Sequence, residues 1–308
     1  MRKIKVKTPA KINLTLEVLN RREDGFHNIQ SIMQTISLYD YLTFEVSQNN
    51  GVEIFLNGTS DEIPYNEKNL VYKAALKFLE VAEIDNVKIN IFIEKNIPIA
   101  AGLAGGSTNA AGTFYALNKL FNNVLSKEKI EELCAGMGSD LNFCLNGGCM
   151  LCTSRGEITE RLPFVEQSVS LVKPKNLGIS AKEAYVKFAQ LEDKTIPDNT
   201  TKLINLLNKN MFDKTLIYNS LEKSLFPDYE ILREIKAKVK GSLMSGSGST
   251  FFVLEPSLNA SFDDNFDVFE NLKTIQMVLK RSYDNYREIK PKYYKYRLCK
   301  FLRNSAND

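Results

Sequence analysis

The chain has 308 residues, of which 44% are hydrophobic and 25% are charged, so its composition is that of an ordinary globular protein of one or two domains. No apolar run approaches the roughly 20 residues that a membrane-spanning helix requires, and the segment 1–14 lacks the apolar core of a secretory signal. The sequence therefore predicts a cytoplasmic protein that makes no contact with a membrane.

The formal net charge of +3 is unevenly distributed. Residues 280–303 contain nine Lys or Arg against two acidic residues, a net charge of +7, so the rest of the chain is mildly acidic. Within this tail, Lys292–Arg297 alternates basic and aromatic residues, a pattern that occurs in nucleic-acid-binding segments. Such a tail is more commonly a solvated extension, so we do not expect nucleic acid to be a partner.

Five cysteines are present, an odd number at irregular spacing, which favours free reduced thiols over a disulfide framework. Cys149 and Cys152 form a CxxC, but no second pair and no nearby histidine completes a zinc site. The sequence predicts no metal ligands here.

The first predicted element in chain order is a strand of alternating apolar and polar residues. Its alternation places Lys11 and Asn13 on one face and puts four apolar residues on the other: Ile12, Leu14, Leu16 and Val18. Further predicted elements of the first half are strands at 42–46, 52–56 and 87–93, helices at 69–82, 109–121 and 126–137, and paired strands at 147–153 and 158–162. Ser126 is the predicted N-cap of the helix at 126–137.

The second half reads as a strand at 169–173, helices at 181–188, 202–208 and 229–240, a strand at 250–254, another helix, and a last strand near 274–278. Strands and helices are mixed without the strict alternation of a parallel sheet. The expected fold class is therefore α+β, with a domain boundary near 155–165.

A loop of small residues joins the strand at 87–93 to the helix at 109–121. Its glycines permit backbone angles that other residues avoid, and the unpaired N–H groups at the following helix start form a site for anions such as phosphate. The loop lacks the lysine of a P-loop. The predicted nucleotide-binding residues are Pro98, Ile99, Ala100, Ala101, Gly102, Leu103, Ala104, Gly105, Gly106, Ser107 and Thr108.

Three other features bear on chemistry, and each has an ordinary alternative. Lys11 alone on a strand is typical of a solvated charge, and Asp140 after a helix end is typical of a helix cap. The segment 241–250, rich in glycine and serine, is compatible with a hairpin or a linker. Together they offer what phosphoryl transfer needs: an anion cradle, a positive charge, and a carboxylate near the acceptor hydroxyl.

Taken in order, these segments resemble the GHMP kinases, the superfamily that includes galactokinase, homoserine kinase and mevalonate kinase. The matching segments are Thr8–Leu14, Arg22–His27, Pro98–Ala111, Gly138–Phe143 and Ser245–Thr250. The first two, PAKINL and DGFH, are specific to the branch that phosphorylates the 2-hydroxyl of a cytidine diphosphate-linked methylerythritol, in non-mevalonate isoprenoid synthesis. The likeness runs from about residue 3 to about residue 280.

The resemblance implies a two-domain GHMP kinase fold. An ATP-binding N-terminal domain at 1–160 would be ribosomal-protein-S5-like, a C-terminal domain at 161–281 would be ferredoxin-like, and 282–308 would be a basic extension. It implies a small-molecule substrate, with ATP and Mg²⁺ as cofactors and no dedicated metal ligand. The protein is expected to be a monomer or a homodimer.

The resemblance also implies residue roles. Lys11 and Asp140 are the catalytic pair, and the loop at 98–108 holds the ATP phosphates. Phe26 and Tyr185 sandwich the cytosine ring, with His27 at its edge, and a further substrate contact is Asn13.

The chain departs from the family at three points. Alanines stand at 100, 101 and 104 where glycine is common, a phenylalanine stands at 26 where tyrosine is common, and Tyr185 lies in a variable segment. Alternatives left open are another GHMP kinase, of mevalonate or homoserine type, and a non-catalytic nucleotide or nucleic-acid binder with the same fold.

Overall fold

The structure is a computed structural model and describes residues 1–276. Its strands are β1 Arg2–Arg21, β2 His27–Gln48, β3 Val52–Gly58, β4 Val87–Glu94, β5 Cys149–Ser154, β6 Ile158–Arg161, β7 Ser168–Pro174, β8 Tyr218–Asn219, β9 Leu243–Met244, β10 Phe251–Val253 and β11 Phe266–Lys273. Its α-helices are α1 Leu70–Val81, α2 Gly105–Leu120, α3 Lys127–Met137, α4 Leu141–Asn146, α5 Ala181–Ala189, α6 Asn199–Leu207, α7 Leu221–Leu225 and α8 Glu230–Lys238.

The first sheet is built around one long antiparallel pair, β1 and β2, whose register runs from Arg2 opposite Val46 to Arg21 opposite His27. The strand order is β3-β4-β2-β1-β8, and β5 pairs with β2 and β6. Helices α1 to α4 pack their apolar faces against this sheet. Four fully buried aromatic rings mark that core: Phe44, Phe78, Phe114 and Phe143.

The second sheet contains β11-β7-β10-β9, and every pair in it is antiparallel. Alternate residues of these strands enter two different cores, as the strand period of two requires. Val172 and Phe251 join a cluster with α5, α7, α8 and the ends of β1 and β2, whereas Leu171 and Phe252 join a second cluster that also contains residues of the first sheet. The two sheets are thus joined by a shared apolar core.

Strand β8 links the second half of the chain to the first sheet. It pairs in parallel with β1, with Tyr218 opposite Thr15 and Asn219 opposite Leu16. Strand β6 ends at Arg161, within the first sheet. The division into domains at 1–160 and 161–281 remains a proposal. Strand β8 belongs to the second of these segments, but it pairs with β1 of the first.

Most local predictions are confirmed, including the cap at Ser126, whose side chain accepts a hydrogen bond from the Lys129 N–H at 3.2 Å. The helix expected between 254 and 274 is wrong. That segment contains turns and then β11, because pairing with β7 provides backbone partners that local sequence does not reveal. The last strand expected at 274–278 is not formed over its described part: Thr274 forms a single bridge to Ile36, Ile275 and Gln276 lie in no strand, and 277–278 lie outside the described residues.

The four cysteines among the described residues are all buried and free. Burial raises the pKa of the Cys134 thiol and of the Cys149 thiol to about 12, so both are protonated at neutral pH. Cys299 and the basic extension at 282–308 lie outside the described residues. Within residues 1–276, no helix has the length and apolarity to cross a membrane.

A buried ion pair supports the turn between β4 and the loop at 98–108. Asp40 is fully buried, and its carboxylate accepts hydrogen bonds from the backbone N–H groups of Asn96 and Ile97 at 2.6 and 2.8 Å. The Lys95 ammonium lies 2.9 Å from the same carboxylate, and the Asn109 amide of α2 donates to it at 2.9 Å. Asp40 therefore ties the strand end to the helix that follows the loop.

We expect Asp40→Asn to lower the free energy of unfolding by about 3–5 kcal/mol, because it leaves the Lys95 ammonium buried beside a neutral group. Urea denaturation measures this change. The control is Glu80→Gln, which breaks an exposed pair with Lys77 and should cost less than about 1 kcal/mol. Equal losses in the two variants would contradict a structural role for Asp40.

Candidate active site

A cleft of about 1120 Å³ is lined by residues from both halves of the chain. It brings together many of the residues that the sequence singled out, although they are as far apart as 11 and 185 in the chain. Those lining it are Lys11, Asn13, Phe26, His27, Ala100, Gly102, Ala104, Ser107, Asp140 and Tyr185.

Lys11 and Asp140 form an ion pair in this cleft, with 3.7 Å between the Lys11 Nζ and an Asp140 carboxylate oxygen. The Lys11 side chain is only 4% exposed, whereas that of Asp140 is 28% exposed. Lys11 is therefore not a solvated surface charge. A partly exposed carboxylate next to a buried ammonium is available to a ligand in the cleft.

Asp140 occupies the N-cap position of α4, but its side chain makes no capping hydrogen bond. Cap residues usually satisfy a free N–H of the first turn, and here the carboxylate lies beside Lys11 instead. The prediction of a helix cap from the local sequence is confirmed for the position of Asp140, but its side chain does not act as a cap.

Asn13 holds the Lys11 ammonium from the same face of β1, as the alternation predicted. Lys11 Nζ donates to the Asn13 amide oxygen at 2.7 Å, and the Asn13 amide nitrogen donates to the Ser31 hydroxyl at 2.9 Å. Ser31 in turn donates to the Thr15 carbonyl at 2.6 Å. Ser31 had no sequence signal, because its role depends on the register between β1 and β2.

The loop at 98–108 adopts left-handed backbone angles at Ala100, Gly102 and Ala104, with φ of 48°, 72° and 59°. For the two alanines this conformation costs about 1–2 kcal/mol each. At Gly102 no other residue fits, since a Cβ there would lie 1.9 Å from the Ser245 carbonyl oxygen. The loop therefore accommodates alanine at positions 100 and 104 at an energetic cost.

Helix α2 starts directly after this loop at Gly105, and its N-cap residue, Ala104, makes no side-chain cap. The first N–H groups of a helix lack intrahelical partners and attract anions. Ser107 in the first turn lines the cleft, and the buried Thr108 hydroxyl has no hydrogen-bond partner within the described chain. These donors suit the phosphates of a nucleotide.

The remaining loop residues do not line the cleft; they are Pro98, Ile99, Ala101, Leu103, Gly105, Gly106 and Thr108. Two of them anchor the loop through backbone hydrogen bonds. The Leu103 carbonyl accepts from the Lys11 N–H at 3.2 Å, and the Ala101 carbonyl accepts from the Thr250 N–H at 3.4 Å. These contacts join the loop to β1 and to the second glycine-rich segment.

Aromatic side chains line another part of the cleft. The rings of His27 and Tyr185 are stacked, with centroids 5.5 Å apart and planes 20° apart. Phe26 is 52% exposed, and the Arg155 guanidinium lies 5.2 Å from its ring centroid. An exposed ring and a stacked aromatic pair on the walls of one cleft offer flat surfaces to a planar ligand.

Sequence reasoning missed several charged residues of the cleft. Arg21, Lys182 and Arg155 all line it, as does Asp24. They come from a strand end, a helix start and a turn, so no spacing in the sequence relates them. Three cations along its walls suit a ligand with several negative charges.

The titration of His27, the single histidine in the chain, tests the electrostatics of this site. Burial, assisted by the positive charges of Arg21 and Lys194, lowers the pKa of His27 below 6.5. NMR titration of the imidazole should therefore give a midpoint below 6.5. Because the unfolded chain binds a proton more readily, the folded state should lose stability as the pH falls through the folded-state pKa.

His27→Gln should remove that acid-dependent component of stability, measured as the melting temperature between pH 7 and pH 5. A His27 midpoint above 6.5 would contradict the described environment of the imidazole.

The two sheets, the glycine-rich loop before α2 and the lysine–aspartate pair in the cleft are the arrangement expected of a small-molecule kinase of the GHMP type. Residues 69–151 match the family described as GHMP kinases N terminal domain. A solved homoserine kinase from Cytophaga hutchinsonii has the same fold, with a TM-score of 0.70 at 20% identity, covering 92% of this chain and 98% of that one.

The proteins with higher sequence identity to this chain belong to a narrower group of kinases. A 4-diphosphocytidyl-2-C-methyl-D-erythritol kinase of Prochlorococcus marinus is 41% identical over 82% of this chain and 86% of its own length. One from Clostridium beijerinckii is 38% identical, over 82% and 90%. A crystal structure of 4-(cytidine 5'-diphospho)-2C-methyl-D-erythritol kinase matches with a TM-score of 0.66 at 30% identity, over 82% and 91%. The chain belongs to the family of 4-diphosphocytidyl-2-C-methyl-D-erythritol kinases.

Proposed function

We propose that this protein transfers the γ-phosphoryl group of ATP to the 2-hydroxyl of 4-diphosphocytidyl-2-C-methyl-D-erythritol, giving the 2-phosphate and ADP. The observation that carries the proposal is the 3.7 Å ion pair between Lys11 and Asp140, in the same cleft as the loop before α2 and the aromatic residues. Family membership supports the choice of substrate.

Asp140 orients the acceptor hydroxyl and takes its proton as the new oxygen–phosphorus bond forms. The bond between the γ-phosphorus and the bridging oxygen breaks, and ADP leaves with that oxygen. Lys11 lies beside the Asp140 carboxylate and opposes the negative charge that gathers on the transferring group. Its partner Asn13 keeps the ammonium aimed at this place.

The ATP phosphates bind at the start of α2, where the backbone N–H groups and the Ser107 hydroxyl are the donors. Residues 1–276 contain no cluster of three or more acidic, histidine or cysteine ligands that would hold a metal by itself. Asp140 and Ser107 line the same cleft, and so small a set of oxygen donors would suit Mg²⁺ bound chiefly through phosphate oxygens. The ion would supply positive charge against those oxygens.

The cytidine moiety binds between Phe26 and Tyr185, with His27 at the edge of the base. Stacking on such rings contributes about 1–3 kcal/mol per base. The neutral imidazole favoured by the lowered pKa of His27 has one donor and one acceptor nitrogen, which suits an uncharged base edge. Arg155 and Lys182 lie along the same cleft and suit the diphosphate.

These aromatic and cationic walls distinguish the proposed substrate from mevalonate and homoserine, which carry neither a base nor a diphosphate. Purified protein with ATP and Mg²⁺ should form ADP at the expense of 4-diphosphocytidyl-2-C-methyl-D-erythritol. It should turn over mevalonate and homoserine at least about 100-fold less efficiently, measured as kcat/KM by coupled ADP release. Efficient turnover of either small alcohol would contradict the proposal.

Asp140→Asn should lower kcat by about 10²–10⁴-fold, because the amide cannot accept the proton. Binding of cytidine monophosphate, measured by calorimetry, should change little. The control is Asp198→Asn, since Asp198 also sits at a helix N-cap position without a capping bond but does not line the cleft. Near-normal turnover in Asp140→Asn would remove Asp140 from the chemical step.

A further inference from the structure

A single buried amide, that of Asn219, holds the second glycine-rich segment in place. Its amide nitrogen donates to the carbonyls of Met244 and Gly246, at 2.7 and 2.8 Å, and its oxygen accepts from the Leu221 N–H at 2.9 Å. Asn219 is 2% exposed. Both amide hydrogens are used on backbone carbonyls, an arrangement that specifies asparagine rather than aspartate.

The segment that Asn219 holds touches the proposed reaction centre. Gly246 has a left-handed φ of 56°, and a Cβ added to it would lie 3.1 Å from the Lys11 Nζ and 3.1 Å from the Gly102 carbonyl oxygen. The neighbouring Ser245 hydroxyl donates to that Gly102 carbonyl at 3.0 Å. The backbone at Gly246 is therefore wedged between the nucleotide loop and the Lys11 ammonium.

Asn219 lies on the strand that pairs with the one carrying Lys11. It lies on β8, opposite Leu16 of β1, and the next residue continues the pairing through a hydrogen bond from its N–H to the Leu16 carbonyl at 2.8 Å. From the same segment, Glu222 accepts the Met244 N–H at 2.8 Å. Through Asn219, the position of the Gly246 backbone is therefore fixed relative to β1 as well as to the second sheet.

We propose that Asn219 is a positioning residue for phosphoryl transfer. It fixes the Gly246 backbone, and through it the placement of the Lys11 ammonium and of the Gly102 turn of the nucleotide loop. Catalysis by alignment is sensitive to displacements of about 1 Å, which can change a rate by about 100-fold. This inference rests on the proposed function for its kinetic consequence but not for its structural one.

The test is Asn219→Asp, which keeps the size of the side chain and turns a carboxylate oxygen toward two carbonyl oxygens. We expect kcat to fall about 10- to 100-fold, while the KM for the cytidyl substrate stays within about threefold, because the aromatic residues of the cleft are untouched. Asn219→Ala removes the donors without adding charge and should show the same fall in kcat with a nearly unchanged KM. This second variant keeps the test valid if the aspartate variant does not fold.

The matched control is Ser220→Ala. The Ser220 hydroxyl accepts the Val18 N–H at 3.1 Å, so the variant loses one buried hydrogen bond to β1 from the residue that follows β8, and it leaves the glycine segment unchanged. Its kcat should stay within about threefold of the wild type. An unchanged kcat in both Asn219 variants, or an equal loss in Ser220→Ala, would overturn the inference.

Hydrogen–deuterium exchange separates this inference from the proposed substrate. Peptides covering 243–248 and 100–104 should exchange faster in the Asn219 variants than in Ser220→Ala or the wild type. If the wild type does not turn over the cytidyl substrate, the proposed function fails, and the exchange pattern still decides the role of Asn219. Unchanged exchange in both peptides would refute the proposal that Asn219 positions the Gly246 backbone.

Discussion

The Lys11 ammonium is the group on which the rest of the site depends, because a charge that is only 4% exposed must be neutralised and hydrogen-bonded by the protein. Its partners come from distant places in the chain. Asn13 supplies an amide oxygen, Asp140 a carboxylate, and Gly246 a close backbone approach. Satisfying one cation thus brings together β1, the start of α4 and a loop of the second half of the chain.

Several other features around the cleft are energetically unfavourable by themselves. Ala100 and Ala104 adopt left-handed angles that disfavour a side chain. Asp40 and Lys95 are a buried ion pair, which is a weak source of stability compared with apolar packing but fixes geometry when fully hydrogen-bonded. These features hold the loop at 98–108 in one shape, so that the start of α2 and Lys11 border the same cleft.

The candidate site was partly predictable from sequence, and the reason differs from residue to residue. Lys11 and Asn13 share a face because a strand has a period of two. Ser107 was predicted because the glycines before it indicate a turn that leads into a helix. Arg155 and Ser31 were missed because each acts through a neighbour on another strand or turn. The helix expected between 254 and 274 failed because strand β11 exists through its pairing with β7.

By itself, the sequence determined most of the local elements, the family, and which residue types are available for phosphoryl transfer, because these depend on periodicity, turn chemistry and ordered motifs along the chain. Only the tertiary structure decided that Asp140 faces Lys11 instead of capping α4, that His27 stacks on Tyr185, and that Asn219 holds Gly246 against the lysine. The physical reason is that side-chain partners are selected by strand register and burial, which join positions that are distant in the chain.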